Sequence, residues 1–536
     1  MTAQPAPQTG SERRRAGGGR RGRGAAERQT APAPAFIERK IPFFDFLSED
    51  QVEAILGEAD WMLEVKGIEF RDNPEALRRL ADAGADVTDC CVRFPEGLAR
   101  QLARTCPTEF TQHARNPDRS VRIGGRNQVF ASMYGAPFVR DAGGERRYGS
   151  MADFNQLAKI LHKLPHVHHL GHVICEPVDV PVNKRHLDMV YSLMTTSDKP
   201  FLGAITEKDR AQDSVNMARI LFGEDRMERD TVIMGNVNTN SPLMIDKVAS
   251  EAIEVYCGAG QGIVVVPFIL SGAMGPVSTA ASVAQAIAEG LACAAYSQIV
   301  RPGAPFVLGN FLSSMSLKSG APTFGMPEPV MSNYAIGQIA RHLGLPLRCG
   351  GSLSASKLPD AQAAAESADS MHSTALAGAN FVLHAAGWLE GGLVMSYEKL
   401  VIDADRLGMY ARMLGGLPQT KTGSRARPMK RLPTPGISLA RPILWPTTKP
   451  PSMNRRCPTA RVSSNGARAA RKTWSSGPSS TGTGWWRSTS ARPSIRQPMR
   501  PCAPTWPRRR SRCPIRPTDA GTVSVRSGPG KTASAG

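Results

Sequence analysis

From Val121 onward, short apolar and β-branched runs alternate with stretches whose apolar residues recur every three or four positions. The runs are VFASMYGAPFV, HHLGHVICEP, PFLGAIT, TVIMGNVN, GIVVVPFILS, PFVLGNFLSS, PLRCGGSLS and NFVLHAAG. Helical periodicity falls between them at 151–164, 185–196, 209–222, 246–257, 279–300, 328–343 and 360–379, and once more at 396–414. A strand-sized run followed by an amphipathic helix, repeated, predicts a parallel sheet with its helices outside. Runs that are apolar at successive positions predict strands covered on both faces. Eight such units over about 300 residues predict an α/β fold, a closed (β/α)8 TIM-type barrel spanning 121–416. An open doubly wound sheet fits less well, because no glycine-rich dinucleotide fingerprint follows the first run.

The flanks read differently. Residues 1–34 are rich in Gly, Arg, Ala and Pro without apolar periodicity, and predict a disordered tail. Between 35 and 120, Leu47, Val52, Ile55 and Leu56 repeat at helical spacing after the start signal Ser48-Glu49-Asp50. Similar patterns at 74–83 and 95–105 make this a mainly helical N-terminal segment. After residue 416 periodicity disappears. Residues 417–536 hold 24 Lys/Arg against one acid, Asp519, and five of the seven Trp, but no Phe, Tyr or Glu. Disordered tails avoid Trp and use Glu freely. The mixture matches GC-rich coding DNA read out of frame. DNA able to encode residues 439–453, LARPILWPTTKPPSM, reads GTAHTLANYETAFY two bases along. The stretch is therefore expected to be a disordered basic tail created by a frameshift.

This organisation changes the meaning of the net charge of +20. The last 120 residues carry +23 and the first 34 carry +5, which leaves the foldable middle at −8. Total basicity would suggest nucleic acid, but it belongs to the tails. The ten Cys include no CxxC pair, as expected of reduced thiols packed as small hydrophobes. The longest apolar run, 263–270, is strand-sized, and no apolar stretch follows the N-terminal arginines. A cytoplasmic protein without membrane or nucleic-acid partners is expected, with homo-oligomerisation left open.

Several segments together resemble the trimethylamine methyltransferase family. They are YGSMADFNQLAKILHKLPHVHHLGHVICEPVDVP, GNVNTNSPLMID, VPFILSGAMGPVSTAAS, SGAPTFGMPEP, SKLPDAQAAAES and GWLEGGLVMSYEKLVIDADRLGM, within 41–416. The alternate-frame segment resembles the same family's C-terminal part. The resemblance implies transfer of a methyl group from a methylated amine to the cobalt of a corrinoid (cobalamin) held by a partner protein, with no cofactor bound directly. Trimethylamine-specific members carry pyrrolysine between the Asp and Gln of a DxQ segment. Here that segment is Asp360-Ala361-Gln362. Ala361 has no electrophilic imine, and members lacking pyrrolysine act on quaternary amines such as glycine betaine. A quaternary ammonium already carries an activated methyl and needs no adduct.

Barrel active sites form where strands end. The residues at those positions are Tyr134, Glu176, Thr206, Asn236, Asn238, Phe268, Ser271, Asn310, Phe311, Ser352, Ser354, Trp388 and Glu390. A trimethylammonium group offers no ordinary hydrogen bond and is held by aromatic faces, which selects Tyr134, Phe268, Phe311 and Trp388. A betaine carboxylate calls for a cation, and Arg348 and His372 flank the seventh strand-to-helix passage. Glu176 is a polarising carboxylate or a solvated loop residue; Asn236 and Asn238 are site residues or turn formers. His166, His168, His169 and His172 stand at the wrong strand end for a barrel-top site and lack partners at ligand spacing, so no metal is expected. Competing readings remain: a barrel lyase on a small carboxylate, for which Lys318 or Lys357 would be the Schiff-base residue; a nucleic-acid binder driven by the tails; or an inactive frameshifted product.

Overall fold

The stretch Gly262–Val266 is five buried residues, four of them β-branched, and such side chains pack well on a pleat covered from both sides. The computed structural model describes residues 34–141 and 143–417; both expected tails, apart from Pro34 and Leu417, lie outside the described residues. Gly262–Val266 pairs in parallel with Met234–Asn238 and with Phe306–Gly309. The parallel run continues through Leu347–Gly350 and Phe381–Leu383 to Asn127–Phe130, so the eighth of the expected runs lies beside the first of them and the sheet curls. Inside the curl Val129, Ala131, Leu202, Met234, Val264, Val266, Val307, Phe381 and Leu383 form their own apolar cluster. Val121, Ile123 and Phe110, from an antiparallel extension of the first strand, join that cluster.

Two expected strands are not extended ladders. HHLGHVICEP and PFLGAIT touch their neighbours through single bridges, Ala131 to His169 and Leu202 to Met234. Hydrogen bonds from Leu170 N to Pro200 O (3.0 Å) and from Leu202 N to Gly171 O (2.9 Å) join the two stretches. The local chemistry explains the interruption. Gly171 turns at φ +73°, and Pro200 has no N–H to give a ladder.

Twelve α-helices are described: α1 (Glu49–Trp61), α2 (Pro74–Asp82), α3 (Leu98–Ala103), α4 (Met151–Lys163), α5 (Val182–Thr196), α6 (Lys208–Phe222), α7 (Glu224–Arg229), α8 (Lys247–Gly258), α9 (Thr279–Val300), α10 (Pro327–Leu343), α11 (Ala361–Ala377) and α12 (Tyr397–Leu414). Caps fix their starts. Ser150 and Asp153 form a reciprocal capping box on α4, and Asp246, Asp360 and Ser396 accept from the first turns of α8, α11 and α12. Helix α9 is buried over most of its length between the sheet and α1 and α3. No helix among the described residues is long and apolar enough to cross a membrane.

The N-terminal segment is more mixed than its periodicity suggests. Alongside α1–α3 it holds three-residue strands, Ile68–Phe70, Asp86–Thr88 and Cys91–Arg93, which pair with one another. Met244–Ile245, from beyond the fourth strand of the curled sheet, completes that small sheet. Three residues cannot display a period, and the Met244–Ile245 partner of Ile68–Phe70 lies 175 positions away in sequence, which is why the pattern reads only as helix.

Candidate active site

The residues after each strand of the curled sheet do not disperse into loops. Phe268–Ser271 and Phe311–Met315 pair in parallel, with Phe268 in register with Phe311, and the two rings lie 5.3 Å apart. Phe324 stands 6.0 Å from Phe311 and 5.6 Å from Trp388. Trp388 is buried edge-on to Phe311 at 5.8 Å, and its Nε1 donates to Ser354 O (3.1 Å). His384 follows Phe381–Leu383 with φ +60°, an uncommon conformation for this residue type. That turn brings its ring 4.5 Å from Trp388 and 5.4 Å from Phe311. His384 Nδ1 accepts from Tyr134 N (3.2 Å), and burial holds the imidazole neutral, well below its ordinary pKa. Three phenyl rings, an indole and a neutral imidazole thus form one contiguous aromatic group.

Arg348 reaches this group from inside the curl. Its guanidinium carbon lies 5.2 Å from the Phe311 ring centroid, and Nη1 donates to Asn310 O (3.1 Å). The side chain is only 2 % exposed and its Nε has no partner. No ion pair with a carboxylate is recorded for it among the described residues, and burial lowers its pKa to about 10. Buried Asn236, on the fourth strand, also leaves its Oδ1 unpartnered. Unmatched buried polar atoms of this kind are costly and call for a partner.

Tyr134 extends the arrangement sideways. It lines a cavity of about 170 Å3 with His172, Glu176, Arg185, His186, Ala204, Ile205 and Thr206. Glu176 pairs with Arg185 at 2.5 Å, so its charge is used at the cavity wall. The expectation that the histidine cluster occupies the wrong end needs splitting. His168 Nδ1 accepts from Phe130 N, while His169 bridges Gln112 and Gly171 N, both deep under the strands. His172 instead stands beside Tyr134, 6.4 Å ring to ring.

Other expected residues lie elsewhere. Asn310 is buried but turns its amide toward α10, donating to Asn333 Oδ1 (2.9 Å). His372 is exposed on α11 with its ring 6.3 Å from Tyr410 on α12, so it does not accompany Arg348 into the site. Helical periodicity explains the miss, since position 372 falls on the outer face of α11. Ala361 opens α11, exposed at the rim, and is not among the residues brought to the rings. Ser354 serves Trp388 through its carbonyl, Glu390 pairs with Arg146, and Ser271 binds Ser282. Lys318 and Lys357 are exposed in loops, so neither lysine named for the lyase reading is brought to the rings. Phe324 and His384 were not singled out from the sequence. The signal for His384 was available, a lone polar ring ending the apolar run NFVL.

Chemically, the site offers aromatic faces to a cation that cannot donate hydrogen bonds, and one buried guanidinium to an anion nearby. It holds the imidazoles of His172 and His384 neutral, and among the described residues it brings no nucleophile and base together at the rings.

Comparison with known proteins agrees in kind. A family model described as trimethylamine methyltransferase matches residues 13–436. The glycine betaine methyltransferase of Desulfitobacterium hafniense (strain Y51) is 37% identical over 377 residues, which is 70% of this chain and 78% of that protein. The proline betaine:corrinoid methyltransferase of Eubacterium limosum is 26% identical over 394 residues, 71% of this chain and 80% of that protein. Among solved structures, the monomethylamine methyltransferase of Methanosarcina barkeri aligns with a TM-score of 0.48 at 12% identity, over 70% of this chain and 76% of that one.

Proposed function

This chain belongs to the trimethylamine methyltransferase family, and on that premise we propose that it moves a methyl group from a betaine-type quaternary amine to the cobalt of a corrinoid protein. The observation that carries the betaine assignment is Arg348, a buried guanidinium with no carboxylate partner among the described residues, lying directly against the aromatic group. A betaine is a dipole of matching kind, with a trimethylammonium head for the rings and a carboxylate for the arginine. The relatives named for glycine betaine and proline betaine support the same class.

The partner's corrinoid supplies a cobalt nucleophile for attack at the methyl carbon. The residues of this chain bind and orient. Phe268, Phe311, Phe324 and Trp388 exclude water and hold the ammonium through their faces; Arg348 fixes the opposite end, so that one N–CH3 bond is presented outward. The departing amine leaves neutral and needs no proton, which accords with neutral His384 and the lack of an acid–base pair. We also read the curled sheet as a closed (β/α)8 barrel, in which the two bridged stretches take the second and third strand places. The rings then sit at its C-terminal mouth, where a flat corrin can approach.

The test is methylation of cob(I)alamin by the purified full chain, followed by absorbance, with glycine betaine, proline betaine, choline and trimethylamine. Turnover of the betaines is expected. Turnover of trimethylamine alone contradicts the reading, as does turnover of none.

A further inference from the structure

Resting on the betaine reading, we propose that Glu366, on α11, is a positioning residue for the aromatic group, setting the Trp388 face through the Ser354–Ala355 peptide and backing Phe324 through Gly325. Helix α11 turns a polar face toward the loop after Leu347–Gly350. Thr374, Ser370 and Ser367 donate from it to the carbonyls of Gly350, Gly351 and Ser352 in turn. At the next step the loop presents donors instead of carbonyls, and there the helix carries an acceptor. Glu366 Oε2 accepts from Ser354 Oγ (2.8 Å) and from Ala355 N (2.8 Å), and Oε1 accepts from Gln362 Nε2 (2.8 Å).

The link to the rings passes through one peptide group. The N–H of the Ser354–Ala355 peptide goes to Glu366, and its C=O accepts from Trp388 Nε1 (3.1 Å). A peptide is planar, so holding its N–H end aims its carbonyl. Ser354 is fully buried, where hydrogen bonds joined in a chain strengthen one another. The same carbonyl accepts from Gly391 N (3.0 Å), and Ser356 O accepts from Glu390 N (2.9 Å), so the turn after Trp388 rests on this loop as well. An indole has a single N–H, and fixing it fixes the plane that stands edge-on to Phe311 and Phe324. Glu366 also reaches the support of a second ring. Gly325 follows Phe324 at φ +81°, and a Cβ there would lie 2.6 Å from Glu366 Cγ. Glycine is what lets the backbone come so close. One carboxylate thus stands behind two of the five rings that would hold the ammonium, and orientation of that group is what this chain contributes to the proposed reaction.

The test reads the ring first and the ligand second. Full-length protein labelled with 5-fluorotryptophan has seven labelled positions, and the Trp388 resonance is the one lost in Trp388→Leu. Glu366→Ala should move that resonance, and Glu366→Gln, which keeps an acceptor oxygen, should restore it. Glu366→Asp keeps the charge but falls one carbon short. It should move the resonance too, and it serves in place of an alanine variant that does not fold. In titration calorimetry Glu366→Ala should weaken glycine betaine about fivefold and its carbon isostere 3,3-dimethylbutyrate by less than about twofold, because a displaced ring forfeits cation–π attraction. In a Trp388→Leu background the loss should shrink to about twofold, since most of the effect passes through that ring. A Trp388 resonance that ignores both Glu366→Ala and Glu366→Asp overturns the proposal. So do equal losses of the two ligands, and so does an undiminished loss in the Trp388→Leu background, each of which marks Glu366 as a general prop of the fold. The resonance needs no ligand. A wild-type protein that binds neither compound while its Trp388 resonance follows Glu366 would uphold the brace and remove the betaine reading instead.

Discussion

Replacing Arg348 with methionine should separate stability from binding. The folded chain holds this guanidinium at a pKa of about 10 instead of 12.5, through burial, which amounts to about 3 kcal/mol against the charged form. A base whose folded-state value lies below its unfolded value weakens the fold at every pH beneath the folded one. The cost is therefore present across the neutral range and lifts only as the pH rises above about 10. Methionine keeps the methylene stem and removes the charge. It forfeits the hydrogen bond to Asn310 O, worth about 1 kcal/mol. The free protein should thus gain about 2 kcal/mol, and its Tm should rise by a few degrees. Binding moves the other way. A charge-assisted contact contributes about 1.5–3 kcal/mol, so affinity for glycine betaine should fall roughly 10- to 100-fold. Choline has the same ammonium and no carboxylate, and should bind Arg348→Met at least as well as the wild type. Scanning calorimetry reads the first effect and titration calorimetry the second. A variant that melts lower and loses both amines equally refutes the assignment, because Arg348 would then be a prop for the Phe311 ring rather than an anion site.

Trp388→Leu should weaken glycine betaine more than its carbon isostere 3,3-dimethylbutyrate, which keeps the carboxylate and lacks the ammonium charge, by about 1–2 kcal/mol of lost cation–π attraction, measured as the ratio of the two affinities. The buried pair Lys399–Asp403 (2.6 Å), whose carboxylate also accepts from Gly387 N (3.0 Å) just before Trp388, should behave asymmetrically. Lys399→Met alone should cost about 3–5 kcal/mol in denaturant unfolding, whereas Lys399→Met with Asp403→Leu should recover much of it. Asp153 ties Arg147 (2.6 Å), Ser150 (2.6 Å) and Tyr397 (2.9 Å) together, and these contacts hold its carboxyl well below the ordinary range. Its contribution is therefore present above about pH 4 and is lost as the pH falls toward its folded-state value. Asp153→Asn should destabilise at neutral pH and matter progressively less in acid unfolding below pH 4.

The sequence alone determined the order of the elements and much of their extent. The period expected at 279–300 is realised as Thr279–Val300, and that expected at 151–164 as Met151–Lys163. Those boundaries were legible because caps and periodicity are local, written within one turn of the helix they define. The parallel pairing followed from the alternation; Tyr134, Phe268, Phe311 and Trp388 were legible as residues at strand ends, and Arg348 as a cation flanking the seventh strand-to-helix passage. Tertiary structure decided which of them meet. Phe268 faces Phe311 because two strands share a register, and His384 joins them because one residue sits at φ +60°. Neither condition leaves a trace in residue spacing. The same holds for His372 and Asn310, which share the right neighbourhood in sequence, although His372 is exposed on α11 and Asn310 turns its amide toward α10. It holds also for the small sheet closed by Met244–Ile245, since contacts between positions far apart are set by packing and not by local pattern.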